Sequence, residues 1–214
     1  MSTSPLTLVV SDDSDSTAII DQTSEVLRSG GLVVFPTETT YGLLVRADDP
    51  ACLHRLVEVK GRPVNMATSI FARDRKHLIS LAILPQMGEI LVDKFLPGPL
   101  TLVLRDRSRL PEPVVVNGRI GIRWSSHPLV TGLVRNLTFA VTATSANISG
   151  MGGENDPETI QRSFGSRIDL LVDAGPSGTT VSTVIDCSDP TPKILREGAV
   201  GRGEIETAIG ARVL

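Results

Sequence analysis

Residues 32–61 read LVVFPTETTYGLLVRADDPACLHRLVEVKG and carry the strand, loop and helix whose alternation sets the fold class. Leu32 to Phe35 is a short apolar run of the kind expected for a buried strand. Pro36-Thr-Glu-Thr-Thr-Tyr41-Gly42 follows it as a polar loop closed by a turn glycine. Asp49-Pro50 is a helix start, with a carboxylate at the cap and proline at the first helical position. Leu53, Leu56 and Val57 then share one helical face, and the helix runs out at Lys60-Gly61.

The same grammar extends in both directions. Leu6 to Val10 reads as a first strand. Ile19, Thr23, Val26 and Leu27 have helical spacing, stopped by Gly30-Gly31. Helix starts recur at His127-Pro128 and Asp156-Pro157. Between them lie strand-like runs at Ala67–Ala72, Leu100–Leu104, Arg119–Trp124, Phe139–Thr144, Ile168–Val172, Val181–Asp186 and Lys193–Leu195. Interleaved strands and ten-residue helices predict an α/β, or mixed α+β, sheet domain. No repeat or long linker divides the 214 residues. A single domain over 1–214 is expected, with its core at about 17–210 and a polar, acidic segment at 1–16.

Composition narrows the function classes. Hydrophobic residues make up 41% and charged residues 21%, an ordinary globular balance. Aromatics are 3%, too few for a base-stacking RNA platform. The formal charge is −3, and Asp12, Asp13 and Asp15 account for the excess, so the rest of the chain is no polycation. Cys52 and Cys187 stand alone, which argues against structural zinc and against a disulfide framework. His54, His77 and His127 are scattered, with no HExxH. No apolar run is long enough to span a bilayer and no signal peptide is evident, so a cytoplasmic protein is expected.

Four loop clusters are candidates for chemistry. Pro36 to Gly42 offers three threonines, Glu38 and the only tyrosine; it is either a site or a polar turn. Lys60-Gly61-Arg62-Pro63 sits at a helix C-terminus. Its cations either satisfy the last carbonyls or clasp a phosphate or carboxylate. Thr142 to Gly150 brings small hydroxyl and amide side chains to a strand end, and the glycines from 150 to 153 suggest a cover. Gly175 to Thr183 suggests a phosphate cradle, yet matches neither the Walker A nor the GxGxxG pattern. Arg196 follows a short strand and either reaches the site or pairs at the surface. Donors are plentiful and no nucleophile is evident. That profile suits a site that positions substrates and neutralises phosphate charge.

Taken in order, Pro36-Thr-Glu-Thr-Thr-Tyr-Gly-Leu43, Lys60-Gly-Arg-Pro63, Pro97-Gly-Pro-Leu-Thr101, Thr144-Ser-Ala-Asn-Ile-Ser-Gly150 and Ser182-Thr-Val-Ile-Asp186 resemble the YrdC/TsaC family over nearly the whole chain. The resemblance implies a twisted sheet of mixed strand direction, flanked by helices, around a deep basic cleft. It also implies a nucleotidyltransferase, an L-threonylcarbamoyladenylate synthase. Such an enzyme joins L-threonine, bicarbonate and ATP, with Mg²⁺, for the N6-threonylcarbamoyl modification of adenosine 37 in tRNA.

By the same resemblance, Lys60 and Arg62 act in catalysis, and Lys60, Arg62, Ser145, Asn147 and Arg196 hold ATP. Thr37, Arg123 and Ser182 contact L-threonine, and no protein metal ligand is implied. The implied downstream partner is a tRNA-modifying threonylcarbamoyl transferase complex, with contact to tRNA or double-stranded RNA and no membrane. The chain departs from many relatives at Ala67-Thr68, at Phe71 and at Trp124-Ser125. Two alternatives stand beside the synthase: a non-catalytic module that binds structured RNA or ribosomes, and a paralogue that uses the same chemistry on a different acceptor.

Overall fold

The computed structural model describes residues 5–11, 14–61, 66–147 and 155–214. In chain order its strands are β1 (Leu6–Val9), β2 (Val33–Phe35), β3 (Gly42–Leu44), β4 (Ile70–Phe71), β5 (Ala82–Ile83), β6 (Leu100–Asp106), β7 (Val115–Val116), β8 (Arg119–Arg123), β9 (Thr144–Ser145), β10 (Leu170–Asp173), β11 (Thr183–Asp186) and β12 (Lys193–Arg196). Among the described residues the α-helices are α1 (Ser16–Arg28), α2 (Pro50–Lys60), α3 (Arg75–Leu81), α4 (Gln86–Phe95), α5 (Pro128–Asn136), α6 (Pro157–Phe164) and α7 (Arg202–Ile209). None of these helices is long and apolar enough to cross a membrane.

The predicted mixed α/β architecture is present, and its strands divide between two sheets. One has the order β1-β10-β2-β3-β9, and the other β12-β11-β6-β8-β4, with β5 and β7 added at β6 and β8. The first is parallel through β1, β10 and β2 and antiparallel through β3 and β9. In the second, β6 runs parallel to β11 and antiparallel to β8, while β4 is parallel to β8.

Burial follows from side-chain alternation along each strand. In β2, Val33 and Phe35 face one apolar cluster with Leu27 of α1 and Leu133 of α5, and Val34 faces a second. Being covered on both sides, β2 and β10 read as continuous apolar runs, whereas the edge strand β1 is largely exposed. The larger sheet is covered on one face only. Leu100, Leu102 and Leu104 of β6, Ile120 and Ile122 of β8 and Ile185 of β11 pack inward. Each fully buried side chain of this size contributes about 1.5–3 kcal/mol. The opposite face carries the intervening residues and becomes the floor of the site.

The two Asp-Pro caps read from the sequence are formed, whereas His127 starts its helix without a side-chain cap. Asp49 accepts from the Ala51 N–H at 2.9 Å, and Gly61 closes α2 at φ +59°. The left-handed conformation at Gly61 is one that a side chain would disfavour. Two expected strands are shorter than their runs. The segment 139–145 pairs first with one sheet and then with the other: Val141 bridges to Arg46, Thr142 bridges to Ile70, and Thr144 and Ser145 join β3. A segment that crosses between sheets makes single bridges rather than a ladder. Likewise only Ile70 and Phe71 of the run 67–72 form strand, against β8. Helices α3, α4 and α7 follow from no capping signal of the Asp-Pro type, though Asp74 caps α3 by accepting from the His77 N–H at 2.7 Å and Glu204 Oε2 accepts from the Gly201 N–H at 2.9 Å at the start of α7.

Candidate active site

One cavity of about 550 Å³ lies over the uncovered face of the larger sheet. Its floor is built from alternate strand residues: Ser182, Val184 and Asp186 of the β11 segment, Thr101 and Val103 of β6, and Arg119, Gly121 and Arg123 of β8. Phe71 of β4 completes this floor. The far wall comes from the ends of the other sheet, with Thr37 and Thr39 to Gly42 on one side, Thr144, Ser145 and Asn147 on the other, and Lys60 between them.

Every proposed site residue within the described part of the chain lines this cavity: Thr37, Lys60, Arg123, Ser145, Asn147, Ser182 and Arg196. Arg62 and Pro63 lie outside the described residues, as do Asp12, Asp13 and the glycines of the expected cover.

Lys60 ends α2 and is 2% exposed. Its ammonium donates to the carbonyl oxygens of Ser145 and of Asn147, the latter at 3.0 Å, and lies 3.3 Å from Asn147 Oδ1. The Ser145 hydroxyl donates to the same amide oxygen at 2.6 Å. Both sequence readings of this lysine therefore meet in one residue: it stands in the last helical turn and also faces the cavity. These contacts are to uncharged oxygens.

Thr37, Thr39 and Thr40 are buried in the β2–β3 loop. The Thr37 hydroxyl donates to the Thr40 carbonyl at 2.6 Å and accepts from the Thr39 N–H at 3.1 Å, a local turn that fixes the loop. The Tyr41 hydroxyl is spent on structure, donating to the Gly175 carbonyl at 2.7 Å and accepting from the Ala174 N–H at 2.9 Å. Burial outweighs that N–H contact and pushes the Tyr41 pKa up to about 12.

Arg123 reaches across the cavity end to this loop. Its NH2 group donates to Thr39 Oγ1 at 2.7 Å, lies 3.4 Å from Thr37 Oγ1 and stands 3.0 Å from Glu38 Oε1. Its guanidinium also lies 5.8 Å from the Phe71 ring centre. Burial pushes Glu38 up, but the Arg123 charge and the Ser125 hydroxyl prevail and hold it below the usual carboxylate range.

Across the floor, Arg196 grips Ser182 through the carbonyl at 2.8 and 3.1 Å and through the hydroxyl at 3.0 Å. Ser182 Oγ also lies 3.2 Å from Thr101 Oγ1. Arg196 is an exposed residue as a whole, but its guanidinium is drawn down onto Ser182. Partial desolvation there, and the nearby Arg123 charge, lower its pKa.

Four cations, Lys60, Arg119, Arg123 and Arg196, thus share the described lining with one carboxylate, Asp186, which already pairs with Arg119 at 3.3 Å. The cavity is electropositive and rich in hydroxyls, and suits an anionic ligand with polar groups. The described residues contain no cluster of three metal-ligating side chains.

Other expectations sort themselves by position. Ala67, Thr68 and Phe71 line the cavity, whereas Trp124 does not and packs against the core. Of the expected cradle from Gly175 to Thr183, Val181 and Ser182 line the cavity, and the stretch from Gly175 to Thr180 does not. Gly175 serves as acceptor for Tyr41 instead. Thr68 carries no catalytic motif, yet its hydroxyl is buried on the lining without a hydrogen-bond partner among the described residues. Glu38 was the one acid embedded in the loops, but only the fold shows it standing behind Arg123.

A mixed α/β domain with a cationic, hydroxyl-lined cavity over one sheet offers the groups that an anionic ligand requires. The chain belongs to the Sua5/YciO/YrdC family, whose sequence profile, described as telomere recombination, matches residues 25–198. It is 35% identical over 195 residues to a Bacillus subtilis protein named threonylcarbamoyl-AMP synthase, a match that takes in 89% of this chain and 56% of that protein.

Among solved structures it is similar to Pyrococcus abyssi Sua5 complexed with L-threonine, with TM-score 0.89 and 32% identity, covering 99% of this chain and 63% of that one. It is also similar to Escherichia coli YciO, with TM-score 0.87 and 26% identity, covering 94% of this chain and 99% of that one. The chain thus spans little more than half the length of the Bacillus relative and nearly all of YciO.

Proposed function

We propose that this protein is a threonylcarbamoyl-AMP synthase, making threonylcarbamoyl-AMP and pyrophosphate from L-threonine, bicarbonate and ATP. The observation that carries the reading is the meeting, in one cavity, of Lys60, Ser145, Asn147 and Arg196 on one hand and Thr37, Arg123 and Ser182 on the other. The names of the Bacillus relative and of the threonine-bound Pyrococcus structure agree with it.

In this reading Arg123 pairs with the amino-acid carboxylate, and Thr37 and Ser182 hydrogen-bond its polar groups. Carbamate forms between the threonine nitrogen and bicarbonate, with loss of water. A carbamate oxygen then attacks the α-phosphorus, the bond to the β-phosphate bridging oxygen breaks, and pyrophosphate leaves. Lys60 and Arg62, with Ser145, Asn147 and Arg196, stabilise the charge that gathers on the departing phosphates. No side chain needs to act as a nucleophile, in keeping with the absence of one from the motifs.

Magnesium fits this lining only by way of the substrate. Asp186 is the one carboxylate on the described lining, and Mg²⁺ is ordinarily held by phosphate oxygens, water and one or two carboxylates. Bound with ATP, it would supply further neutralisation of phosphate charge. The product would pass to a tRNA-modifying transferase complex in the cytoplasm.

A different amino-acid acceptor is the second reading, favoured by Phe71, which places an aromatic wall beside Arg123. The test is pyrophosphate and AMP-adduct formation with threonine and bicarbonate omitted in turn. Adduct that needs both supports the synthase. Adduct formed equally well with other amino acids supports the second reading. Silence from folded protein overturns both.

A further inference from the structure

Arg123 is held from behind by a carboxylate that does not line the cavity. Glu38 lies between Thr37 and Thr39, which do line it, yet its own side chain turns toward β8 and the start of α5. Glu38 Oε1 stands 3.0 Å from Arg123 NH2, and Glu38 Oε2 accepts from the Ser125 hydroxyl. Ser125 Oγ in turn accepts from the His127 N–H at 3.1 Å, at the N-terminal end of α5. The side chains of Arg123 and Glu38 are 9% and 13% exposed, so solvent screens this pair little.

A guanidinium presents five N–H donors in a fixed plane, so holding one edge fixes the direction of the others. The NH2 group donates to Thr39 and, at longer range, to Thr37, with the Glu38 carboxylate beside it as an ion pair. Nε is buried with no hydrogen-bond partner among the described residues. We propose that Glu38, steadied by Ser125, is a positioning residue that acts through Arg123, orienting the guanidinium for the carboxylate of an amino-acid substrate before that substrate arrives. This role rests on the amino-acid reading of the cavity given above. Preorganisation of this sort strengthens binding by removing the cost of ordering the arginine. A mere counter-charge would do the opposite, since Glu38 competes with a ligand carboxylate for the same cation, and its removal would tighten binding.

Glu38→Gln keeps the shape and removes the charge. With ATP and bicarbonate saturating, pyrophosphate release by Glu38→Gln is expected to show a KM for L-threonine raised at least tenfold. Its KM for ATP should stay within twofold of wild type. Ser125→Ala, which leaves the ion pair but frees the carboxylate, should raise the KM for L-threonine in the same direction by a smaller factor. In an Arg123→Lys background, Glu38→Gln should add nothing, because the arginine through which it acts is gone.

A KM for L-threonine that is unchanged or lowered overturns the proposal. So does a parallel rise in the KM for ATP, or a full additional effect in the Arg123→Lys background. If Glu38→Gln does not fold, Ser125→Ala alone and in the Arg123→Lys background decides by the same outcomes. Wild-type protein that neither turns over nor binds L-threonine by calorimetry overturns the amino-acid reading itself, a failure seen before any variant is compared.

Discussion

The ammonium nitrogen of Lys60, in the last turn of α2, lies 3.0 Å from the backbone oxygen of Asn147 and 3.3 Å from its side-chain oxygen. Residues 87 positions apart are thereby pinned on the wall of one cavity, joining the end of a helix to the end of β9. The same contact that closes the fold presents a positive charge to whatever enters.

Lys60→Ala should therefore damage activity and stability by separable amounts. Loss of one preorganised donor to a charged transition state lowers turnover by about 10²–10³. Loss of the ties to Ser145 and Asn147 costs roughly 1–3 kcal/mol of folding free energy. Pyrophosphate release and thermal unfolding, measured on the same preparation, check the two effects. Full activity in this variant would remove Lys60 from the mechanism.

Tyr41 gives the protein a built-in alkaline limit. Its pKa is raised from an ordinary value near 10 to about 12, because burial disfavours the phenolate. Between those values the unfolded chain releases the proton and the folded chain keeps it. The stabilisation is therefore complete below about pH 10 and is lost as the pH rises toward 12. As the only tyrosine in the chain, Tyr41 can be followed without ambiguity by its phenolate absorbance. Native protein should titrate near pH 12 and denatured protein near 10. Tyr41→Phe should abolish the alkaline loss and, by leaving the Ala174 N–H and Gly175 carbonyl unpaired, cost about 1–3 kcal/mol at neutral pH.

Gly198 is required by space. A Cβ there would lie 2.6 Å from the Ser182 carbonyl carbon and 2.7 Å from the Thr183 nitrogen, both backbone atoms with no rotamer to yield. Gly198→Ala should destabilise by about 1–3 kcal/mol and, by shifting Ser182, raise the KM of the substrate that Ser182 contacts. Calorimetric unfolding and the substrate KM values report the two consequences. A variant with wild-type values for both would show that this chain segment moves freely.

Neither cysteine should take part in chemistry. Cys187 is buried beside Asp186, and burial, aided by that charge, pushes its thiol up to about 12; burial raises Cys52 as well. A neutral, inaccessible thiol is a poor nucleophile. Thiol reagents at pH 8 should leave the folded protein unlabelled and fully active, and should label both residues in denaturant. Rapid labelling of folded protein would contradict the burial.

What the chain by itself determined was its local grammar and its inventory of donors. The Asp-Pro starts, the glycine stop after Lys60 and the apolar runs depend on neighbours within a few residues, so they are legible one-dimensionally. The same holds for the ordered motifs that marked Thr37, Lys60, Ser145, Asn147 and Ser182; the family resemblance added roles for Arg123 and Arg196, and all seven face one cavity. Tertiary structure decided what local pattern cannot carry. The run 139–144 has the composition of a strand, yet it splits its bridges between two sheets because each edge offers only part of a ladder. The glycine-rich stretch from 175 looks like a phosphate loop, yet Gly175 faces Tyr41, 134 positions away. Glu38 looks like one more cavity residue among threonines, and only packing turned it behind Arg123. Alternation along a strand says which residues share a face, but which face is covered and which is left open is settled by the elements that arrive from elsewhere in the chain.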